Sequence, residues 1–180
     1  MHRLSQIDAQ VREGYAKYDF QGVFRTVFDF ATLDLSAFYF DIRKDALYCD
    51  GDTLRRRASR TVLDILFHHL TRWLAPVLVF TMEEIWLERF PGDDSSIHLE
   101  DFVAVPEGWQ DDALAEKWAT IRTVRRVVTG ALEVERTNKM IGASLEAAPT
   151  VYVEHGPSGI LQTVSFDDLC ITSGIQLSTA

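Results

Sequence analysis

Cysteine is scarce in this chain: Cys49 and Cys170 are the only two in 180 residues. They lie far apart and form no Cys-x-x-Cys pair. A disulfide framework and a zinc ribbon are therefore unsupported, and a reduced, cytoplasmic setting fits best. Long apolar runs are missing too. The longest, around Trp73 to Phe80, is too short for a bilayer and contains Pro76. Met1-His2-Arg3-Leu4 offers no apolar segment of the kind that makes a secretory signal. No Gly-x-Ser-x-Gly turn occurs, and no glycine-rich loop opens a helix to cradle phosphate. Nor is there a metal-ligand set. His68 and His69 are adjacent on a helix and point apart, while His98 and His155 have no partner at ligand spacing. No catalytic residue and no metal ligand is expected. Positive charge is also short, with 18 Lys and Arg against 27 Asp and Glu and a formal net charge of −9. That sum disfavours nucleic acid, but only the charge on one face decides binding.

What the chain has in quantity is apolar surface. Nearly half its residues are hydrophobic, with eleven Phe and four Trp, enough for a packed core in one domain with a small appendage. Leu4, Ile7, Val11 and Tyr15 recur at helical spacing and predict a helix ending near Tyr18. Asp19 can cap a second helix with Val23, Phe24, Val27, Phe28 and Phe30 on its apolar face. A pause is predicted at Leu33 to Leu35, with Asp34 or Ser36 capping a third helix that carries Phe38, Tyr39, Ile42 and Leu47. Cys49-Asp50-Gly51-Asp52 is a turn by composition. A helix from about Thr53 to Leu74 follows, with Val62, Leu63, Leu66, Leu70 and Trp73 on one stripe and Arg57, Arg60, Asp64 and His68 on the other side. Pro76 must end or kink it.

Thr81-Met82-Glu83-Glu84 has the form of a capping box and predicts a short helix opening there and stopping at Pro91-Gly92. Residues 93–110 are expected to be a connecting loop, with Ile97 and Leu99 in a brief strand. Helical period returns from Asp111 to about Asn138 with Leu114, Trp118, Ile121, Val124, Val128, Ala131 and Leu132 on one side, and Gly142 stands where a C-terminus is expected. Beyond it, Pro149 to Val153 predicts a strand, His155-Gly156-Pro157 a turn, and Leu169 to Thr172 a second strand. The expected fold is mainly α: a helical bundle over 1–92, the connection, then a long helix and a small α/β subdomain over 111–180.

Two groups of arginines stand out. Arg55, Arg56, Arg57 and Arg60 crowd one helix start. Arg122, Arg125, Arg126 and Arg136 fall within roughly a third of the long helix's circumference, opposite its apolar face, with Lys139 near its end. Guanidinium groups suit phosphate because they donate two parallel hydrogen bonds. Against this, any soluble helix has a charged outer face. Glu133 and Glu135 interrupt the stripe, and Arg60 is spaced for an i, i+4 pair with Asp64. Trp73, Trp86 and Trp118 all belong to apolar stripes and are expected in the core, so no exposed ring beside arginines is visible.

Three stretches carry a family resemblance. Leu35-Ser-Ala-Phe-Tyr-Phe-Asp-Ile-Arg-Lys-Asp-Ala-Leu-Tyr48 resembles the Leu-Ser-x-Phe-Tyr-x-Asp-x-x-Lys-Asp-x-x-Tyr segment of isoleucyl-tRNA synthetases. Arg72 to Trp86 is similar to the Leu-Ala-Pro … Thr-x-Glu-Glu-x-Trp stretch shared by class I synthetases for large aliphatic amino acids. Lys139-Met-Ile-Gly-Ala-Ser-Leu-Glu-Ala147 resembles the Lys-x-Ile-Gly-x-Ser-Leu-Glu-Ala that follows the long helix in the isoleucine enzymes. The resemblance implies a helical-bundle anticodon-binding domain with a small α/β unit, binding isoleucine tRNA beside a catalytic domain of the same polypeptide. It implies no membrane and a monomer. The family's His-Ile-Gly-His and Lys-Met-Ser-Lys-Ser signatures are absent, so ATP and magnesium would belong to that catalytic domain, and this chain alone is not expected to aminoacylate. The alternatives are a helical protein-interaction scaffold, or the equivalent domain of a valyl- or leucyl-tRNA synthetase.

Overall fold

Leu4, Ile7 and Val11 bury one face of the first helix, α1 (His2–Ala16), as their spacing requires. The computed structural model describes residues 1–179 and divides into two units, Met1–Gln110 and a second from Asp111 onward. After α1 the chain turns at Tyr18, in the left-handed region at φ 58°. Asp19 then caps α2 (Phe20–Asp29), its carboxylate accepting from the Gly22 amide at 2.9 Å. Gly14 lets the two helices approach: a Cβ there would lie 2.5 Å from Val23 Cγ2. Val23, Val27 and Phe30 fill the seam. Phe24 and Phe28 stand one residue further round, about 100° away, and are 39% and 55% exposed instead of joining the buried face.

The predicted pause at Leu33–Leu35 does not occur. The chain runs directly into a π-helical segment, Phe30–Phe40, whose wider turn brings residues five apart, such as buried Phe30 and Leu35, onto one side. Asp34 lies inside this segment instead of before a helix, and it accepts from Arg3 Nε at 3.0 Å. A tight turn and α3 (Lys44–Tyr48) bury Ile42 and Ala46.

Thr53 caps α4 (Leu54–Leu74), accepting from the Arg56 amide at 3.1 Å. Trp73 lies fully buried near its end, at 0% exposure. Its Nε1 donates to Asp8 Oδ1 at 3.0 Å, and its carbonyl accepts from Tyr15 Oη at 2.6 Å. Burial pushes the Tyr15 phenol up to about 12. Pro76 stops α4, as its missing amide demands. The next helix, α5 (Val79–Arg89), opens two residues before Thr81 and has no side-chain cap. The capping box therefore does not form, because Thr81 already sits inside the first turn. Glu83 is the working carboxylate: it accepts from Ser96 Oγ at 3.0 Å and the Ile97 amide at 2.9 Å. Ile97–Leu99 is a 3₁₀ turn, not a strand, and buries Ile97 against Met82 and Trp86. Phe102, Val105 and Trp109 pack on the first unit's main core, so residues 93–110 are irregular yet packed.

His69 lies in that core at 1% exposure, edge-on to Trp73. Its Nδ1 meets the Ile65 carbonyl at 2.8 Å, and its Nε2 has no partner. Burial holds its pKa below the usual value, chiefly by desolvation. Neutral His69 therefore favours folding above the unfolded pKa of about 6.5, and that contribution shrinks as protons bind the unfolded chain at lower pH. The urea midpoint is expected to fall between about pH 6.5 and 5.5, and to fall less in His69→Gln. A wild-type midpoint that stays level over this range would contradict it.

The second unit is built on α6 (Asp112–Thr137), 26 residues long and so about 40 Å. Asp111 caps it, accepting from the Leu114 amide at 2.8 Å. Ile121, Val128 and Leu132 are buried. The left-handed closing residue is Lys139, at φ 59°, and not Gly142. Lys139 N donates to Arg136 O, and Met140 N to Glu135 O, each at 3.0 Å. Gly142 instead donates its amide to Glu146 Oε2 at 2.8 Å. The strand at 150 forms as β1 (Thr150–Val153). His155-Gly156-Pro157 is the first turn of α7 (His155–Leu161), where proline's missing amide costs nothing. The strand expected at Leu169–Thr172 is α8 (Phe166–Cys170) closed by left-handed Ile171. Phe166, Leu169 and Cys170 are buried at helical spacing. Burial pushes the Cys170 thiol up to about 12. β2 (Gln176–Thr179) pairs parallel to β1 from Thr150↔Gln176 to Val153↔Thr179, with α7 and α8 making the crossover that parallel strands need.

Candidate nucleic-acid interface

The arginines at the start of α4 do not share a face. Successive helical residues point about 100° apart, so Arg55, Arg56 and Arg57 fan around the axis. Arg56 turns inward, its guanidinium donating to the Asp50 carbonyl at 3.3 Å. Arg55 is engaged within the fold. Arg57 pairs with Asp52 at 3.0 Å, with both side chains more than half exposed. Arg60 makes no hydrogen bond or ion pair among the described residues. The spaced pair with Asp64 is not formed, because Asp64 is taken by Arg89 from α5. Arg57 and Arg60 line an open groove of about 710 Å³ together with Thr61, Leu63, Asp64, Phe67 and Arg89. Arg89 was not visible as a member: it is 25 positions from Asp64, and no periodicity links two helices. Its guanidinium lies 4.5 Å from the Phe67 ring centre and 5.2 Å from that of Phe90.

In the second unit, the stripe on α6 divides: Arg126 stands about 140° from Ile121, away from the buried face, while Arg125 and Arg136 border that face. Arg125 follows Ile121 by four residues and Arg136 follows Leu132 by four, so each stands about 40° from a buried side chain. Arg125 Nε donates to the Leu169 carbonyl at 2.6 Å, tying α6 to α8. Arg136 is held by Glu133 at 2.6 Å and Ser144 Oγ at 3.0 Å. Together with the bond from Gly142 to Glu146, these contacts lock the 138–147 loop. Arg122 is engaged within the fold. Arg126 and Lys139 are exposed, and their side chains are unpaired among the described residues.

Exposed rings occur on α2, and two of them, Phe24 and Phe28, stand where the periodicity placed core. Phe20, Phe24 and Phe28 lie along α2, and the last two stack with centres 6.1 Å apart. Asp19 and Asp29 flank them and only Arg25 adds positive charge, so this face lacks the cation excess that phosphate requires. Trp73 and Trp86 are buried as expected, while Trp118 is half-buried. Among the described residues no group of three His, Cys, Asp or Glu side chains converges to hold a metal ion, and no helix is long and apolar enough to cross a membrane.

The profile of the family described as "Anticodon-binding domain of tRNA ligase" matches residues 1–152. The chain belongs to this family of anticodon-binding domains. An isoleucine–tRNA ligase of Ruegeria pomeroyi is 62% identical over 99% of the chain, which covers 18% of that protein. Those of Brucella abortus and Agrobacterium fabrum are each 54% identical, over 100% and 97% of the chain and 19% and 18% of their own lengths. The chain thus spans about a fifth of the relatives it matches. Their names agree with the resemblance carried by the three motifs, and the anticodon-binding domain has the mainly helical build expected of it, with a two-stranded α/β appendage.

Proposed function

We propose that this anticodon-binding domain serves an isoleucine–tRNA ligase in the cytoplasm. It would hold isoleucine tRNA, as a monomer, while a catalytic domain of the same polypeptide uses ATP and magnesium for aminoacylation. The observation that carries the proposal is the presence of exposed, unpaired cations, Arg60, Arg126 and Lys139, in a family of tRNA-ligase domains. In a chain of net charge −9, such cations are the groups available to neutralise phosphate without first breaking an internal ion pair. Arg57 is a weaker contributor, because its exposed pair with Asp52 costs little to open. Arg56, Arg125 and Arg136 also hydrogen-bond within the fold, and Arg55 and Arg122 are engaged there too, so in this reading all five contribute less than the unpaired cations.

Competition between halves of the tRNA tests this. A labelled isoleucine tRNA bound to the chain at low salt is expected to be displaced by its anticodon stem-loop and much less by an acceptor-stem minihelix of equal charge. Equal displacement by both would remove the anticodon assignment while leaving phosphate contact in place.

A further inference from the structure

The groove between α4 and α5 is a concave place where guanidinium groups outnumber carboxylates, with Arg57, Arg60 and Arg89 set against Asp64. Its three arginines differ in readiness. Arg60 is free. Arg57 is in an exposed pair with Asp52. Arg89 is fixed by two independent supports: its guanidinium lies over Phe67 and Phe90, and its Nη2 donates to Asp64. The aromatic contacts leave Arg89's charge in place, but Asp64 cancels it. The Asp64 side chain is about half exposed, at 48%, and Arg89's is 41% exposed, so an anion arriving from solvent can compete for the same guanidinium. Phe67 cannot offer a face to a base, since Arg89 covers one side and Trp86 stacks near it at an interplanar angle of 17°. The groove therefore presents charge to solvent, not an open ring face. Its open form suits a group on a polymer better than an enclosed small ion.

We propose that this groove seats a phosphodiester of the RNA backbone between Arg60 and Arg89, and that Asp64 sets the affinity by competing with phosphate for Arg89. The proposal rests on the tRNA reading above and adds to it a residue, Arg89, and a restraint, Asp64, whose removal has an unusual sign. Losing a carboxylate next to a bound phosphate removes repulsion and releases a donor, so Asp64→Asn should strengthen binding. Arg60→Gln and Arg89→Gln should weaken it.

Binding of an isoleucine tRNA transcript to the 180-residue chain would be measured by fluorescence anisotropy at several chloride concentrations, with thermal unfolding as a control for fold. Asp64→Asn is expected to tighten binding roughly threefold to tenfold at low salt. Arg60→Gln should lower the salt slope by up to about one. In Asp64→Asn/Arg89→Gln most of the gain should be lost, because the competed donor is gone and only the relief of repulsion remains. Should Asp64→Asn fail to fold, the Arg60→Gln and Arg89→Gln slopes still decide. Slopes unchanged in both, with Arg126→Gln reducing the slope, would overturn the groove and leave the tRNA reading standing. No tRNA binding by the unsubstituted chain would overturn both. Saturable binding of inorganic phosphate that Arg60→Gln and Arg89→Gln abolish, with the tRNA salt slopes unchanged in both variants, would assign the groove to free phosphate and overturn the backbone assignment.

Discussion

Replacing Trp73 by alanine is expected to destabilise the first unit by about 3–5 kcal/mol, the largest single effect available in this chain. Three supports act at that residue. The indole is fully buried among Leu4, Ile7, Val11, Val23 and Leu66 and tilts against Phe30. Its Nε1 occupies Asp8 Oδ1, whose other oxygen accepts from Arg12 Nε at 2.7 Å. Truncation therefore opens a cavity and also leaves a buried carboxylate with half its partners, which adds an unsatisfied-group penalty to the lost transfer energy. Domains of this size have roughly 5–15 kcal/mol in total, so the variant should lose a large part of its unfolding free energy. Urea unfolding followed by tryptophan fluorescence and far-ultraviolet dichroism measures it. Trp73→Phe, which keeps most of the volume but not the donor, should lie between the two. A midpoint for Trp73→Ala equal to that of the unsubstituted chain would mean that α4 does not pack as described.

The helices were legible where a strong period met a strong end signal. α4 combined a clear apolar stripe with a proline stop, and α6 a sustained 3.6-residue repeat. Errors came where two physical signals conflicted or where the deciding contact was remote. Asp34 had the chemistry of a cap, but Arg3 claimed it and the backbone widened into a π-turn instead. Thr81 and Glu84 had capping-box spacing, but the turn freed at Pro76 started α5 first. Leu169-Cys170-Ile171-Thr172 is a short apolar run, and such a run fits a helix or a strand until its neighbours choose. The basic surface was half legible. Arginine-rich stretches were plain, but their engagement by the Asp50 and Leu169 carbonyls and by Ser144 arises from folding and has no signature in spacing. Arg89 was missed for the same reason.

The largest effect on binding concerns salt. With Arg60, Arg126 and Lys139 as exposed cations unpaired among the described residues, and each releasing counterions from one phosphate, the slope of log K against log salt should be roughly 2–3 in magnitude, and affinity should fall about 15- to 60-fold between 50 and 200 mM salt. Arg126→Gln/Lys139→Gln leaves the buried line of Ile121, Val128 and Leu132 untouched, so the fold should survive while the slope drops by up to about two. Arg125→Gln is the informative contrast. It breaks the bond to Leu169 O, and should lower the stability of the second unit more than it changes the slope.

The most direct measurement is therefore the salt dependence of isoleucine tRNA binding by the unsubstituted chain and by Arg126→Gln/Lys139→Gln, both checked for fold by far-ultraviolet dichroism. A steep slope in the first and a clearly flatter one in the second is the predicted result. Absence of binding at low salt, or identical slopes for the two proteins, would contradict the claim that local unpaired cations carry RNA on an acidic anticodon-binding domain.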